Sequence, residues 1–483
     1  MGIIAQCRAV AARRPEWLGL AVLVLAACNL GVRLGRELVG VAEESLFANT
    51  ALEIVRSGEW VGTTLLGSLD YYNSKPPLNV WLIALSFKAF GVGVIPLRLP
   101  SALAAWLTVA VLQRWGRRAW GNGAGIWASL VLATSPGFLY VHSGRSANAD
   151  ALLTLLMLLV VVTLWEGERA PWRLAWVGPL LGAAFLAKGF AVAMPALVVL
   201  AALGYRALVR RLPVGPLAVG AAAGAVPVAA WIWARWQVDR WRFFEAMWGQ
   251  DVVARAVSAL EGHREAAWYY LYVLQRNHPE WIGLAVLAFL LVPSARTGLG
   301  GLVPAAGQAG TAVLLGAWAV ATLVVPSLVS TKLAWYLNPF LPFFALAVGW
   351  TLARAFDSAD RSDRPRRAGA LLALAVVAVA STEARLAWQS YRLDVGRSAQ
   401  GLLLEAGPTL GGRDVFRARW GYPEIFLARA AGARARDVHG AEEFLRLSRP
   451  GDFLLTEATV EAPGVVLVGA APTERLYRRD GER

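Results

Sequence analysis

The run DALLTLLMLLVVVTLW, Asp150 to Trp165, decides the fold: after the aspartate come fifteen residues whose only polar side chains are two threonines. A threonine hydroxyl can bond back to its own helix. Wound as a helix, the run therefore has no group that needs water, and hydrocarbon suits it as solvent. Ten further apolar stretches occur, at residues 16–32, 98–114, 123–140, 174–187, 190–205, 213–234, 281–293, 309–328, 336–353 and 368–382. Of 483 residues, 57% are hydrophobic and 17% charged, with a mean hydropathy of +0.49. No single water-soluble core of this length encloses so much apolar surface. The expectation is an all-α polytopic membrane bundle of about eleven transmembrane helices.

Basic residues set its orientation, because cytoplasmic loops retain Lys and Arg. Arg8, Arg13 and Arg14 put the N-terminus inside, and the clusters Arg114/Arg117/Arg118, Arg206/Arg210/Arg211 and Arg361/Arg364/Arg366/Arg367 then fall on the same side. The loops at 33–97, 141–150, 188–189, 235–280 and 329–335 fall outside, with the C-terminal hundred residues. Leu78–Phe90 is thirteen residues long and interrupted by Asn79, Ser86 and Lys88, so it reads as an interfacial helix. Counting it as a span would reverse the Arg114/Arg117/Arg118 cluster. The expected location is the plasma (inner) membrane, with the first apolar segment kept as an anchor rather than cleaved as a signal peptide.

A net charge of +14 raises the question of nucleic acid. The arginines are scattered over membrane edges and the C-terminal region, which favours anionic lipid headgroups as partner and no nucleic acid. Cys7 and Cys28 are the only cysteines. They sit in the cytoplasmic tail and the first span, so neither a disulfide nor redox chemistry is expected.

From about Arg385 the chain alternates polar and apolar residues. It divides into a membrane domain, 1–384, and a small extracytoplasmic α/β domain, 385–483, with strands at Phe453–Thr456 and Val465–Val468 and helices at Glu424–Ala431 and Ala441–Leu447. The stretches Ser294–Gln308 and Asp357–Arg367 read as cytoplasmic connectors. Inverted half-to-half symmetry is not evident, which weakens a transporter reading.

The spans carry almost no ionisable residues in their middles, so the chemistry belongs in the external loops. The first, about Arg33–Gly93, is too long for a connector and holds Glu43, Glu44, Glu53, Glu59, Asp70 and Lys75. Glu43–Arg56 reads as an amphipathic helix with Phe47, Ala51 and Val55 spaced four apart. Acids at its start could serve only the helix dipole. The second loop, Val141–Asp150, contains His142, Arg145 and Asp150. Asp150 is by default an N-cap. With Arg145 and Glu43 facing one aqueous space, it could also anchor an anionic substrate and orient an acceptor.

Taken in order, Glu43-Glu44, Gly58-Glu59-Trp60, Lys75-Pro76-Pro77, Leu97-Arg98-Leu99-Pro100, Gly144-Arg145 with Asp150, Ala187-Lys188-Gly189, Trp268-Tyr269-Tyr270-Leu271 after His263, and Lys332 with Trp335-Tyr336 and Pro339 form a set. Over residues 10–385 this resembles the GT-C superfamily of integral-membrane glycosyltransferases, in the branch of protein O-mannosyltransferases and aminoarabinose (lipid A) transferases.

The resemblance implies inverting transfer, in which an acceptor attacks the anomeric carbon of a polyprenyl-phosphate sugar and the lipid phosphate leaves. Glu43 stands at the family's catalytic aspartate position, as base or acceptor-orienting group, with Glu44 as the alternative. Asp150 joins it as a catalytic candidate. Candidates to stabilise the leaving phosphate are Lys75, Arg145, Arg255 and Lys332, with His263 in the fourth loop and Tyr336 as hydrogen-bond donor. For each cation an interfacial snorkelling role is the alternative. Lys75 is the foremost, since two prolines fix the backbone after it. Lys188 reads equally as a turn residue. Two departures separate the chain from the aminoarabinose transferases: Ser74 replaces an acid that there can bind structural zinc with a loop histidine, and Leu46 replaces a phosphate-contacting arginine. No metal and no cofactor are expected. The expected acceptor is a lipid or envelope glycan, with protein as the alternative. A lipid-linked sugar flippase and a non-catalytic scaffold are the readings from other classes.

Overall fold

The computed structural model describes residues 15–249, 265–291, 309–361 and 365–481. Within them the chain is a helical membrane bundle capped by a small α/β domain. Eight helices are long and apolar enough to cross a bilayer: Glu16–Arg36, Val94–Trp120, Asp150–Gly167, Pro171–Val209, Val214–Asp239, Ala309–Leu328, Ala334–Asp357 and Arg366–Arg392. It is a multi-pass membrane protein. Pro171–Val209 merges two of the expected segments, broken by a 3₁₀ turn at Gly189–Val192. Two more expected segments are short, Asn122–Ala133 and Pro279–Leu290. The first is cut at Thr134 because Pro136 cannot donate the next helical bond, and Pro136–Tyr140 restarts the helix with Ser135 as its cap.

Small residues let the helices approach closely. Gly178 and Gly182 face Gly220 and Gly224, and a methyl group at Gly178 would lie 1.9 Å from the Gly220 carbonyl oxygen. The membrane core then fills with Trp115, Phe138, Trp281, Trp318 and Leu346.

The expected helix of the first loop runs Glu43–Ser57 and ends at Gly58, whose φ of 76° is open to glycine. Interfacial Leu78–Phe90 is a helix beside it. Between them β1 (Thr64–Leu65) and β2 (Ser68–Leu69) form a hairpin. The amphipathic pattern predicts one wet face, yet every residue from Glu44 to Ile54 is buried. The second cover is the C-terminal domain. Its helix Tyr422–Ala430 lies on the loop helix: the Asn49 amide donates to the Tyr422 carbonyl at 2.9 Å, and Arg429 pairs with Glu53 at 2.9 Å. Phe87 stacks on Phe426 with ring centroids 6.0 Å apart.

That domain has a five-stranded sheet in the order β4-β3-β5-β7-β6, formed by β3 (Asp414–Arg417), β4 (Arg434–Asp437), β5 (Phe453–Thr456), β6 (Val465–Ala470) and β7 (Arg475–Arg479). β3 runs parallel to β4 and β5, while β7 runs antiparallel to β5 and β6. The strands β3, β4 and β7 and the helix Ala399–Leu410 escape a hydrophobicity reading, β4 because its sequence is Arg-Ala-Arg-Asp. β4 forms as an exposed edge through its pairing with β3, while Leu403, Val415 and Tyr477 are buried against their neighbours.

A candidate active site at one end of the bundle

Two buried arginines shape the loop that carries Glu43. Arg98 Nε donates to Glu44 Oε1 at 2.7 Å, and its other nitrogens bond the carbonyls of Leu34, Glu37 and Leu38. Arg145 pairs with Glu37 at 2.5 Å and also donates to the carbonyls of Asn29 and Val32. Both guanidiniums are thus fully engaged by the turn between the first span and the loop helix. Glu44 completes the frame by accepting from the Gly40 and Ala147 amides. Arg145 and Glu44, candidates for carrier binding in the sequence, are instead held in buried ion pairs that fix the backbone.

The same frame turns Glu43 the other way. Lys75 Nζ lies 2.6 Å from Glu43 Oε1 and 3.2 Å from Asn73 Oδ1. Asp70 holds that turn by accepting from the Tyr72 and Asn73 amides, both at 2.9 Å. Across the site Lys188 Nζ lies 2.5 Å from Asp150 Oδ1. Gly189 follows Lys188 at φ 56°, and its backbone comes close to Pro76, so the two lysine turns touch. Asp150 begins its helix without capping it.

His142 joins the two carboxylates. One of its ring nitrogens and one oxygen each of Glu43 and Asp150 lie within 4.8 Å of one another. Its ring stacks on Trp335 with centroids 3.7 Å apart and planes 10° from parallel, and its backbone sits in the left-handed region at φ 51°. Asn338 secures the turn by donating to the Val141 carbonyl at 2.8 Å. Among the described residues Glu43 Oε2, His142 Nδ1 and Asp150 Oδ2 are buried without a hydrogen-bond partner.

The electrostatics follow from this crowding. Burial alone pushes the Glu43 carboxyl up, but Lys75, Lys188 and His142 outweigh it and hold it at about 2. Burial pushes the His142 imidazole below its ordinary value, with Asp150 and Glu43 opposing and both lysines reinforcing the shift. One nitrogen and two oxygens have the composition of a divalent-cation donor set. Here two ammonium groups already neutralise both carboxylates.

Lys332 is buried and donates to the Val329 carbonyl at 2.8 Å. Tyr336 shares the 3₁₀ turn Ala334–Phe340 with Trp335. Arg255 and His263 lie outside the described residues. Sequence reasoning quoted His142 without giving it a role and left Lys188 undecided. The glycine after Lys188 was a usable signal, whereas the His142–Trp335 stack joins residues too far apart in the chain to be seen. A cavity of about 680 Å³ lined by Trp268, Tyr269, Arg276 and Arg385 reaches Val141 and Ala334, the chain neighbours of the stacked pair.

Residues 74–233, which carry Lys75, Asp150 and Lys188, match the family model of dolichyl-phosphate-mannose-protein mannosyltransferases. The undecaprenyl phosphate-alpha-4-amino-4-deoxy-L-arabinose arabinosyl transferase of Pseudomonas paraeruginosa is 32% identical over 354 residues, 70% of this chain and 61% of that one. Its counterpart from Pseudomonas savastanoi pv. phaseolicola is 32% identical over 261 residues, covering 52% of this chain and 48% of that one. The chain thus spans about half the length of that relative. The crystal structure of ArnT from Cupriavidus metallidurans bound to undecaprenyl phosphate superposes with a TM-score of 0.67, at 19% identity over 97% of this chain and 99% of that one.

The chain has the GT-C fold.

Its sequence is similar to those of the aminoarabinose transferases, and the likeness to ArnT embraces the membrane bundle and the C-terminal domain together. The expected GT-C fold is therefore the observed one.

Proposed function

We propose that this GT-C protein is an inverting glycosyltransferase of the plasma (inner) membrane, moving a sugar from a polyprenyl-phosphate carrier to a lipid or envelope-glycan acceptor on the extracytoplasmic face. The observation that carries it is the pairing of Lys75 with Glu43 and Lys188 with Asp150 around one small polar space. Breaking a glycosyl–phosphate bond leaves negative charge on the phosphate, and two ammoniums already held in the site by carboxylates are close at hand to stabilise it. The two lysines can turn toward the leaving phosphate while Glu43 and Asp150 orient the acceptor. The relatives' names and the lipid held by the solved relative support a polyprenyl-phosphate sugar as donor. The basic residues at 114–118 and 206–211 support a cytoplasmic N-terminus and an external site. No metal or cofactor is needed in this scheme, because the lysines supply the positive charge.

The test is turnover of labelled undecaprenyl-phosphate monosaccharides by membranes containing the full chain, followed as release of the lipid phosphate. Wild type should release it, and Lys75→Ala and Asp150→Asn should lose most of that activity while remaining folded. Movement of intact lipid-linked sugar across the bilayer without cleavage would replace this reading with that of a flippase.

A further inference from the structure

Glu43 Oε2, Asp150 Oδ2 and His142 Nδ1 are buried polar atoms without partners among the described residues, gathered where one ring nitrogen and two carboxylate oxygens lie within 4.8 Å of one another. A buried polar atom left unpaired costs about 1–3 kcal/mol. Three around one space mark where a hydrogen-bonding group of the substrate enters. Each carboxylate already holds a lysine, Glu43 with Lys75 at 2.6 Å and Asp150 with Lys188 at 2.5 Å. His142 is different. It bears no ion pair, its ring is clamped flat against Trp335, and its backbone is held at φ 51°.

We propose that His142 is the general base of the transfer, taking the proton of an acceptor hydroxyl at Nδ1. The inference rests on the proposed glycosyl transfer and adds the acceptor's chemistry: a protonated hydroxyl, rather than an oxygen that arrives already ionised and needs no base. In the step, the hydroxyl oxygen forms the bond to the anomeric carbon and its proton passes to Nδ1. The bond from that carbon to the phosphate oxygen breaks, and its electron pair leaves with the lipid phosphate toward Lys75 and Lys188. The imidazolium so formed stands beside Glu43 and Asp150, which stabilise it. The charged groups facing His142 are Glu43, Asp150, Lys75 and Lys188, and burial keeps the free imidazole neutral near pH 7. The cavity that reaches Val141 and Ala334 is lined by the chain neighbours of the stacked pair.

The experiment uses the detergent-solubilised full chain, labelled undecaprenyl-phosphate monosaccharides and an envelope-lipid extract as acceptor, across pH 5 to 9. His142→Ala should lower kcat by about 10²–10⁴-fold, leave donor KM within a few-fold, remove the acid limb of the wild-type profile, and recover part of its rate with added imidazole. Trp335→Ala should lower kcat less and keep the acid limb. The proposal is overturned if His142→Ala keeps both rate and acid limb, the result for an ionised acceptor such as a phosphate. It is equally overturned if the loss lies in KM alone, or if EDTA silences wild type and a divalent metal restores it. If wild type cleaves no donor, the glycosyl-transfer reading itself fails and this one goes with it.

Discussion

Glu43 and Glu44 are neighbours in the chain and face opposite ways: Glu43 meets Lys75 at 2.6 Å in the polar space, and Glu44 meets Arg98 at 2.7 Å inside the frame below it. Helix geometry makes this possible, because successive residues point about 100° apart. Arg98 decides which glutamate does which. With four protein partners for its guanidinium it fixes Glu44, and Glu43 is left to Lys75 in the polar space.

The two glutamates should therefore fail differently. Arg98→Ala leaves the buried Glu44 carboxylate unpaired, a change that costs about 3–5 kcal/mol, and Glu44→Gln should lower stability in the same direction by less. Thermal unfolding in detergent measures both. A Glu44→Gln protein as stable as wild type but devoid of transfer would show that Glu44, and not Glu43, faces the acceptor.

Lys75 and Lys188 should act as a unit on the leaving phosphate. Each alanine variant is expected to lower kcat by about 10²–10³-fold, and the double variant should fall by less than the product, since either lysine alone leaves both carboxylates disturbed. Single-turnover release of undecaprenyl phosphate is the measurement. Strictly multiplicative losses would mean that the two lysines serve separate steps.

Much of this was legible because hydrocarbon leaves a plain mark: the uninterrupted run after Asp150 could be placed from sequence alone, as could the helix opening at Glu43. Lys75 was foremost for a local reason, its two prolines. The assignments that changed depended on partners far away in the chain. Arg145 looks like a phosphate ligand until Glu37, 108 positions earlier, closes on it. His142 acquires a role only when Trp335 arrives beneath its ring. Burial of both faces of the Glu43–Ser57 helix likewise requires Phe426 and Leu427 from the C-terminal domain.

The Glu43 carboxyl gives a pH signature for stability. Its folded value of about 2 lies below its ordinary 4.5, so the charged form is bound more tightly in the folded state. That contribution is present above pH 4.5 and is lost as pH falls through 2. Glu43→Gln should be less stable than wild type at pH 7, by a few kcal/mol on the scale of about 1.4 per pKa unit, and the gap should close on acidification. Melting curves at pH 7, 5 and 3.5 test the sign. A gap that widens toward low pH would mean that Lys75 does not hold the carboxylate.

The C-terminal domain should control the rate through the turn that carries Glu43. Gln400 accepts from the Val39 amide at 2.8 Å and donates to the Val39 carbonyl at 3.1 Å, the double bond of a strand pair made by one side chain. Arg33 pairs with Asp394 alongside, and Glu37 bridges to Asp394 through the backbone. Three residues separate Val39 from Glu43, in a turn that Arg98 and Glu44 also hold. Gln400→Ala removes both hydrogen bonds and leaves the Val39 groups buried and unpaired, at about 1–3 kcal/mol. The expected result is faster hydrogen exchange over Leu34–Glu44, a roughly ten-fold lower kcat and unchanged donor KM, because the lysines that meet the donor are untouched. Gln400→Glu keeps the acceptor and loses the donor, so it should fall between wild type and alanine. Exchange confined to the C-terminal sheet, with the Glu43 turn as protected as in wild type, would mean that the domain only rests on the loop helix and that its docking serves some other end.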